Sequence, residues 1–177
     1  MIAVLMSGAL GSGQPGGDWT WRLSIADVPS RAVFSIFPGV DRFIACLTGP
    51  GLKLERAGAR SLVPSEGKAL SFAGEEAVTG EPLGPGVRDA NLMLRRDRWR
   101  GRMTLVRGRG AELDATLVLV HAPENCPSLR VRTAEGDCDI SPGGTLVASG
   151  PVALFGVPGS VGISCELTAV STAPFRS

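Results

Sequence analysis

Apolar and polar residues alternate with a period of two in short runs, and the runs recur about every ten residues between turns rich in Gly, Pro and Asp. Trp19, Trp21, Leu23 and Ile25 fall on one face of an extended chain, while Thr20, Arg22 and Ser24 fall on the other. The same pattern predicts strands over residues 32–37, 42–47, 51–55, 70–72 and 87–95. A second set follows over 103–106, 116–121, 128–133, 145–148, 152–157 and 161–167. No stretch of ten or more residues carries apolar positions at i, i+3, i+4 and i+7, so any helix is a single turn near 25–29 or in a loop. The 24 Gly and 13 Pro in 177 residues are more than a helical bundle tolerates. The reading is an all-β sandwich or barrel whose plan is used twice, in two small lobes.

Residues 1–18 are expected to be a poorly patterned lead-in, with the glycine-rich 11–17 contributing no strand. Residues 19–98 then form a first lobe and residues 99–177 a second. Gly136-Asp137 and Pro142-Gly143-Gly144 read as hairpin turns, where backbone with positive φ favours Gly or Asp. The opening apolar run lacks the basic flank of a secretory signal and is far shorter than the roughly 20 residues of a membrane span, which points to the cytoplasm and to no membrane partner.

Charge and reactive residues narrow the chemistry. The net charge of +1 offers no bulk field for nucleic acid. Arg88, Arg95, Arg96, Arg98, Arg100, Arg102, Arg107 and Arg109 crowd one stretch, but with Trp99 as its single aromatic it lacks the stacking platform of a single-strand binder. It reads as a solvated strand and loop between the lobes. Cys46, Cys126, Cys138 and Cys165 form no CxxC pair and read as buried free thiols. His121 is the only histidine, too few imidazoles for the metal sites that barrels commonly hold, so it reads as a hydrogen-bonded structural residue and no metal or other cofactor is expected. No GxSxG elbow or phosphate loop is present, and Ser160 reads as a turn residue rather than a nucleophile.

What remains is a set of polar residues inside otherwise alternating strands: Arg22, Ser24, Ser35, Asp41, Arg42, Asp89 and Asn91. Spacing alone is compatible with two arrangements, convergence on one cavity or a salt-bridged exterior.

The stretches Trp21-Arg22-Leu23-Ser24-Ile25-Ala26-Asp27-Val28, Phe34-Ser35-Ile36-Phe37-Pro38-Gly39-Val40-Asp41-Arg42, Phe72-Ala73-Gly74-Glu75 and Asp89-Ala90-Asn91-Leu92-Met93, in this order, resemble the HutD/Ves family. The resemblance is carried by residues 19–96, and the later half fits a weaker second lobe. It implies a cupin-type (RmlC-like) β-barrel fold with two lobes, a bicupin, in a bacterial protein without catalysis. The implied role is regulatory: binding a small carboxylate or formyl-bearing, urocanate-like metabolite, in connection with histidine utilisation or a stress response. Motif by motif, the implied ligand-binding residues are Arg22, Ser24, Ser35, Phe37, Arg42, Phe72, Asp89 and Asn91, with Arg42 as the anion contact. Asp41, Trp21 and Met93 are expected in turn and core. The family's opening Pro-Trp and Asn-Gly-Gly-Gly-like motif has no counterpart before Trp19. Two other readings stand beside this one: a metal-independent isomerase or lyase with Asp89 as base and Arg42 as electrostatic stabiliser, and a structural homodimer that pairs barrel edges.

Overall fold

The computed structural model describes residues 2–8, 19–56, 59–64, 68–108, 110–156 and 158–171, and among them are seventeen β-strands and no helix. The strands form four antiparallel sheets, two from the first half of the chain and two from the second. The central sheet of the first lobe runs β1 (Ile2–Gly8), β2 (Trp21–Asp27), β9 (Arg88–Arg95), β4 (Val40–Thr48), β7 (Leu70–Ala73). Facing it is an outer sheet of β3 (Ala32–Val33), β8 (Val78–Pro82), β5 (Leu52–Arg56), β6 (Ala59–Val63). The second lobe has a central sheet of β10 (Trp99–Arg107), β17 (Val161–Ala169), β12 (Leu117–His121), β15 (Thr145–Ala148) and an outer sheet of β11 (Ala111–Leu113), β16 (Val152–Phe155), β13 (Leu129–Thr133), β14 (Gly136–Ile140).

Alternation along the central strands assigns each side chain to one of two layers. Trp21, Leu23 and Ile25 of β2, Ala45 of β4 and Ala90, Leu92 and Leu94 of β9 pack against Trp99, Met103, Leu119, Ile163, Cys165 and Leu167 of the second lobe. The two central sheets therefore lie back to back, and each fully buried Leu or Ile in that layer contributes about 1.5–3 kcal/mol. Ile44, Cys46, Leu52, Leu54, Val63, Phe72 and Val78 fill the space between the first lobe's two sheets. Val118, Val120, Leu129, Val131, Val152 and Leu154 do the same in the second lobe.

Five expectations are corrected. The lead-in is not without structure: β1 pairs with β2 from Ile2↔Ala26 to Gly8↔Trp21, its ladder made by backbone groups that need no side-chain alternation. Residues 11–17 lie outside the described residues. Of the strand expected over 32–37, only Ala32 and Val33 pair, with Gly80 and Thr79, because the chain beyond Phe34 turns away over the first lobe. The arginine-rich stretch is more strand than loop: Arg96 and Arg98 lie in the short turn after β9, and from Trp99 to Arg107 the chain pairs residue for residue with Ala169 to Val161. Asp137 belongs to β14, opposite Arg132; the turn before it is made by Ala134 and Glu135, and Gly136 opens the strand with φ 125°. Asp41, expected in a turn, lies in β4 opposite Leu94.

Candidate functional site

The face of the first lobe's central sheet that looks toward its outer sheet carries three cross-strand rows. Arg22, Met93, Arg42 and Phe72 form the first, on β2, β9, β4 and β7. Ser24, Asn91, Ile44 and Leu70 form the second, and Ala26, Asp89 and Cys46 the third. Polar residues at every second position of β2 and β9 thus meet on one concave surface.

Residues 29–37 cross over this surface as a strap and form one wall of a cavity of about 340 Å³. Arg22, Ser24, Ser35, Phe37, Arg42, Asp89 and Asn91 all line it, so the convergent arrangement is the one the chain adopts. Phe72 does not line it. Its ring instead lies 5.0 Å from the Arg42 guanidinium and stacks on Phe34 with ring centres 6.3 Å apart. Phe34 and Met93 are lining residues that the sequence pattern did not single out, since an apolar side chain on a concave face has the same signature as a core residue.

Arg42 is 4% exposed, and its guanidinium carbon sits 5.0 Å from the Phe34 ring and 5.8 Å from the Phe37 ring. Its Nη1 donates to the Ser35 carbonyl at 3.1 Å, which ties the strap to β4. Each cation–ring contact is worth about 0.5–2 kcal/mol depending on desolvation. Burial lowers the Arg42 pKa to about 10, an effect that Asp89 opposes and neighbouring Arg22 adds to. Among the described residues neither Arg22 nor Arg42 has a carboxylate within ion-pair distance, while Arg22 Nε and Arg42 Nε are buried without a hydrogen-bond partner.

The far end of the cavity has the opposite character. Asp89 is 3% exposed, and burial pushes its carboxyl up to about 7 despite the opposing pull of Arg42. Asp89 Oδ1 and Asn91 Oδ1 are both buried and unpartnered. Ser24 reaches the Asn91 carbonyl only at 3.5 Å. Cys46, next to Asp89 across the strands, donates its thiol to Thr48 O at 3.1 Å, and burial raises its pKa to about 11.

Other described arginines are engaged within the chain. Arg96 holds Asp41 at 2.7 Å and Glu75 at 2.8 Å, and Arg102 forms a two-point pair with Glu166 at 2.8 Å. Arg88 joins the lobes through Glu124 at 3.0 Å and also meets Asp27 at 3.2 Å. Arg109 lies outside the described residues. His121 is buried on β12, its Nδ1 3.0 Å from Thr145 Oγ1, and burial depresses its pKa. It lines a separate cavity of about 180 Å³ between the lobes, with Arg88 and Glu124. Among the described residues no group of three or more metal-ligating side chains comes together. Cys46, Cys126 and Cys165 are buried, but Cys138, expected to be buried, is exposed on β14, an edge strand of its sheet.

Comparison with known proteins places this geometry. Residues 9–165 match the family model HutD. The chain is 39% identical over 94 residues to an uncharacterised 21.2 kDa protein of the hutC 3' region of Pseudomonas putida, a match covering 52% of this chain and 48% of that one. It is 36% identical over 87 residues to protein Ves of Citrobacter koseri, covering 49% and 46%. The matches span about half the length of these curated relatives. Among solved structures, a conserved protein of unknown function from Pseudomonas aeruginosa superposes with a TM-score of 0.76 at 25% identity, over 96% of this chain and all of that one. HutD from Pseudomonas fluorescens, solved in a formate condition, gives 0.76 at 24% identity over 96% and 89%. A cupin 2 conserved barrel protein from Leptotrichia buccalis gives 0.51 at 10% identity over 89% and 86%, a likeness of fold alone. The architecture is a cupin-type all-β fold in two lobes.

Proposed function

The chain belongs to the HutD family, and from that premise we propose that it is a regulatory binding protein of the cytoplasm. It takes a small carboxylate- or formyl-bearing metabolite into the first-lobe cavity without transforming it. The observation that carries this reading is the pair of guanidinium groups, Arg22 and Arg42, that face one cavity with no carboxylate of the described residues within ion-pair distance, Asp89 acting on Arg42 only from farther along the same cavity. Two cations side by side repel each other, and an anion bound between them relieves that repulsion while accepting charge-assisted hydrogen bonds. The resemblance to HutD and Ves proteins directs the choice of ligand toward intermediates of histidine breakdown.

Thermal denaturation with formate, urocanate and N-formylglutamate tests the reading. A ligand present at 100 times its Kd stabilises the folded chain by about 2.7 kcal/mol. The expected result is a raised midpoint for at least one of the three, lost in Arg42→Met; no shift with any of them overturns the proposal. A second reading, an isomerase or lyase, is favoured by the Asp89 carboxyl at about 7, the range a general base needs. Turnover of a bound carboxylate that disappears in Asp89→Asn would establish it instead.

A further inference from the structure

The arginine row explains how one end of a ligand is held; Asp89 and Asn91 face the same cavity and remain to be explained. Asp89 is more than nine-tenths buried, one of its oxygens has no hydrogen-bond partner, and among the described residues no cation touches it. A buried carboxylate in that state is costly, and folded proteins relieve the cost by pairing or neutralising it. The Asn91 side-chain oxygen, on the next row, is buried and unpartnered too. Donors are thus gathered at one end of the cavity and acceptors at the other, four residues apart along β9 from Met93 to Asp89, about 13 Å at the backbone before the reach of the side chains is subtracted. The cavity volume of about 340 Å³ corresponds to roughly eleven water volumes, enough for a short bifunctional molecule.

We propose that Asp89, with Asn91 beside it, is the counter-group for a cationic nitrogen, so that the ligand class is amino-carboxylates, held by the carboxylate at Arg22 and Arg42 and by the ammonium or imidazolium at Asp89. The assignment rests on the carboxylate-binding reading and adds to it a selection between carboxylates. A second carboxylate at the inner end meets like charge, whereas a protonated nitrogen replaces the missing counter-ion. Binding of the cation holds Asp89 ionised, so affinity rises with pH through the range near 7 where the free carboxyl loses its proton. The charged groups that share the cavity with that carboxyl are Arg22 on β2, Arg42 on β4 and Asp27 at the root of the strap, and of these Arg42 acts on it electrostatically; the Cys46 thiol, raised to about 11, stays protonated throughout. Arg88, adjacent in sequence, lines the other cavity with His121.

The test is calorimetric titration of the full chain with matched pairs, butanoate against 4-aminobutanoate, pentanoate against 5-aminopentanoate and hexanoate against 6-aminohexanoate, at pH 6 and pH 8. Tenfold or tighter binding of at least one amino acid over its des-amino partner at pH 8 is expected, shrinking at pH 6. In Asp89→Asn the advantage of the amino acid over its des-amino partner disappears, with circular dichroism confirming the variant's fold. The pH comparison on the unaltered chain stands without the variant. Equal binding within every pair overturns the assignment and leaves the carboxylate reading standing. So does a carbonyl-bearing acid such as N-formylglycine that binds more tightly as pH falls, which would make Asp89 a protonated donor. Failure of every carboxylate to bind overturns the carboxylate reading, and this assignment with it.

Discussion

When ionised, the Asp89 carboxyl costs folding free energy, because burial removes its hydration and Arg42 compensates only in part. Its pKa is about 7 in the folded chain against an ordinary 3.8, so between those values the folded state keeps a proton that the unfolded state releases. Stability contributed at this site is therefore full below about pH 4, falls as pH rises toward 7 and is level above it. At about 1.4 kcal/mol per pKa unit the whole effect is on the order of a few kcal/mol. Asp89→Asn keeps the shape and removes the titration. Urea denaturation should show the variant matching the parent near pH 4 and exceeding it at pH 8, by a margin that grows between the two. A margin that does not change with pH would place the proton on another group. His121 has the opposite tendency, since burial keeps it neutral and its contribution is lost as pH falls below its ordinary 6.5, but it is common to both proteins and cancels in the comparison.

Between β2 and β4 the strap of residues 29–37 is secured by few bonds: the two-residue β3 on β8, the Arg31 ion pair with Glu55 of β5 at 2.8 Å, Phe34 N to Val78 O at 2.9 Å, Phe37 N to Gly74 O at 2.8 Å, and the Arg42 bond to Ser35. Gly74 is the tightest of these points. It accepts from Phe37 and donates to Val40 O at 2.7 Å, and a Cβ there would press on the Phe37 carbonyl and lie 2.9 Å from the Val40 carbonyl. Backbone on both sides leaves nothing flexible to yield, so Gly74→Ala should displace the strap. The expected outcome is faster hydrogen exchange at Phe34 and Phe37 and weaker carboxylate binding, with strands of the second lobe exchanging as before; unchanged exchange at the strap would show that the contact is absorbed elsewhere. The same elements show what the sequence made legible. Strands with one core face and one polar face, such as β2, β4 and β9, announced themselves by alternation, and the polar positions of β2 and β9 pointed at the cavity for the same reason. β8, reading Val-Thr-Gly-Glu-Pro, did not, because Gly80 stands where a Cβ would come within 3.0 Å of the Phe34 ring and Pro82 ends the strand. β1 was missed because its apolar run does not alternate. Residues 34–37 alternate yet leave the sheet, since Phe34 and Phe37 turn to the Arg42 guanidinium, a contact between segments that no local pattern encodes.

Four stacked sheets give the molecule three apolar layers, and the one inside the first lobe is interrupted by Arg22, Ser24, Arg42, Asp89 and Asn91. The middle layer belongs to both lobes, so the wall that carries the site depends on residues after Trp99 for its packing. Trp99 is 1% exposed, its ring buried in that layer and its indole N–H donating to Thr20 Oγ1 at 2.9 Å, just ahead of β2. A layer shared in this way makes partial unfolding expensive, because freeing either lobe exposes the apolar face of the other. Tryptophan fluorescence and far-ultraviolet circular dichroism should therefore report one coincident transition, which a carboxylate bound in the first lobe alone raises as a whole. Trp99→Ala should lower that transition by about 3–5 kcal/mol and weaken binding at a cavity the side chain never lines. Two separable transitions in the unaltered chain, with ligand moving only the one that reports the first lobe, would mean that each lobe holds its own stability and that the second serves the site only as a neighbour.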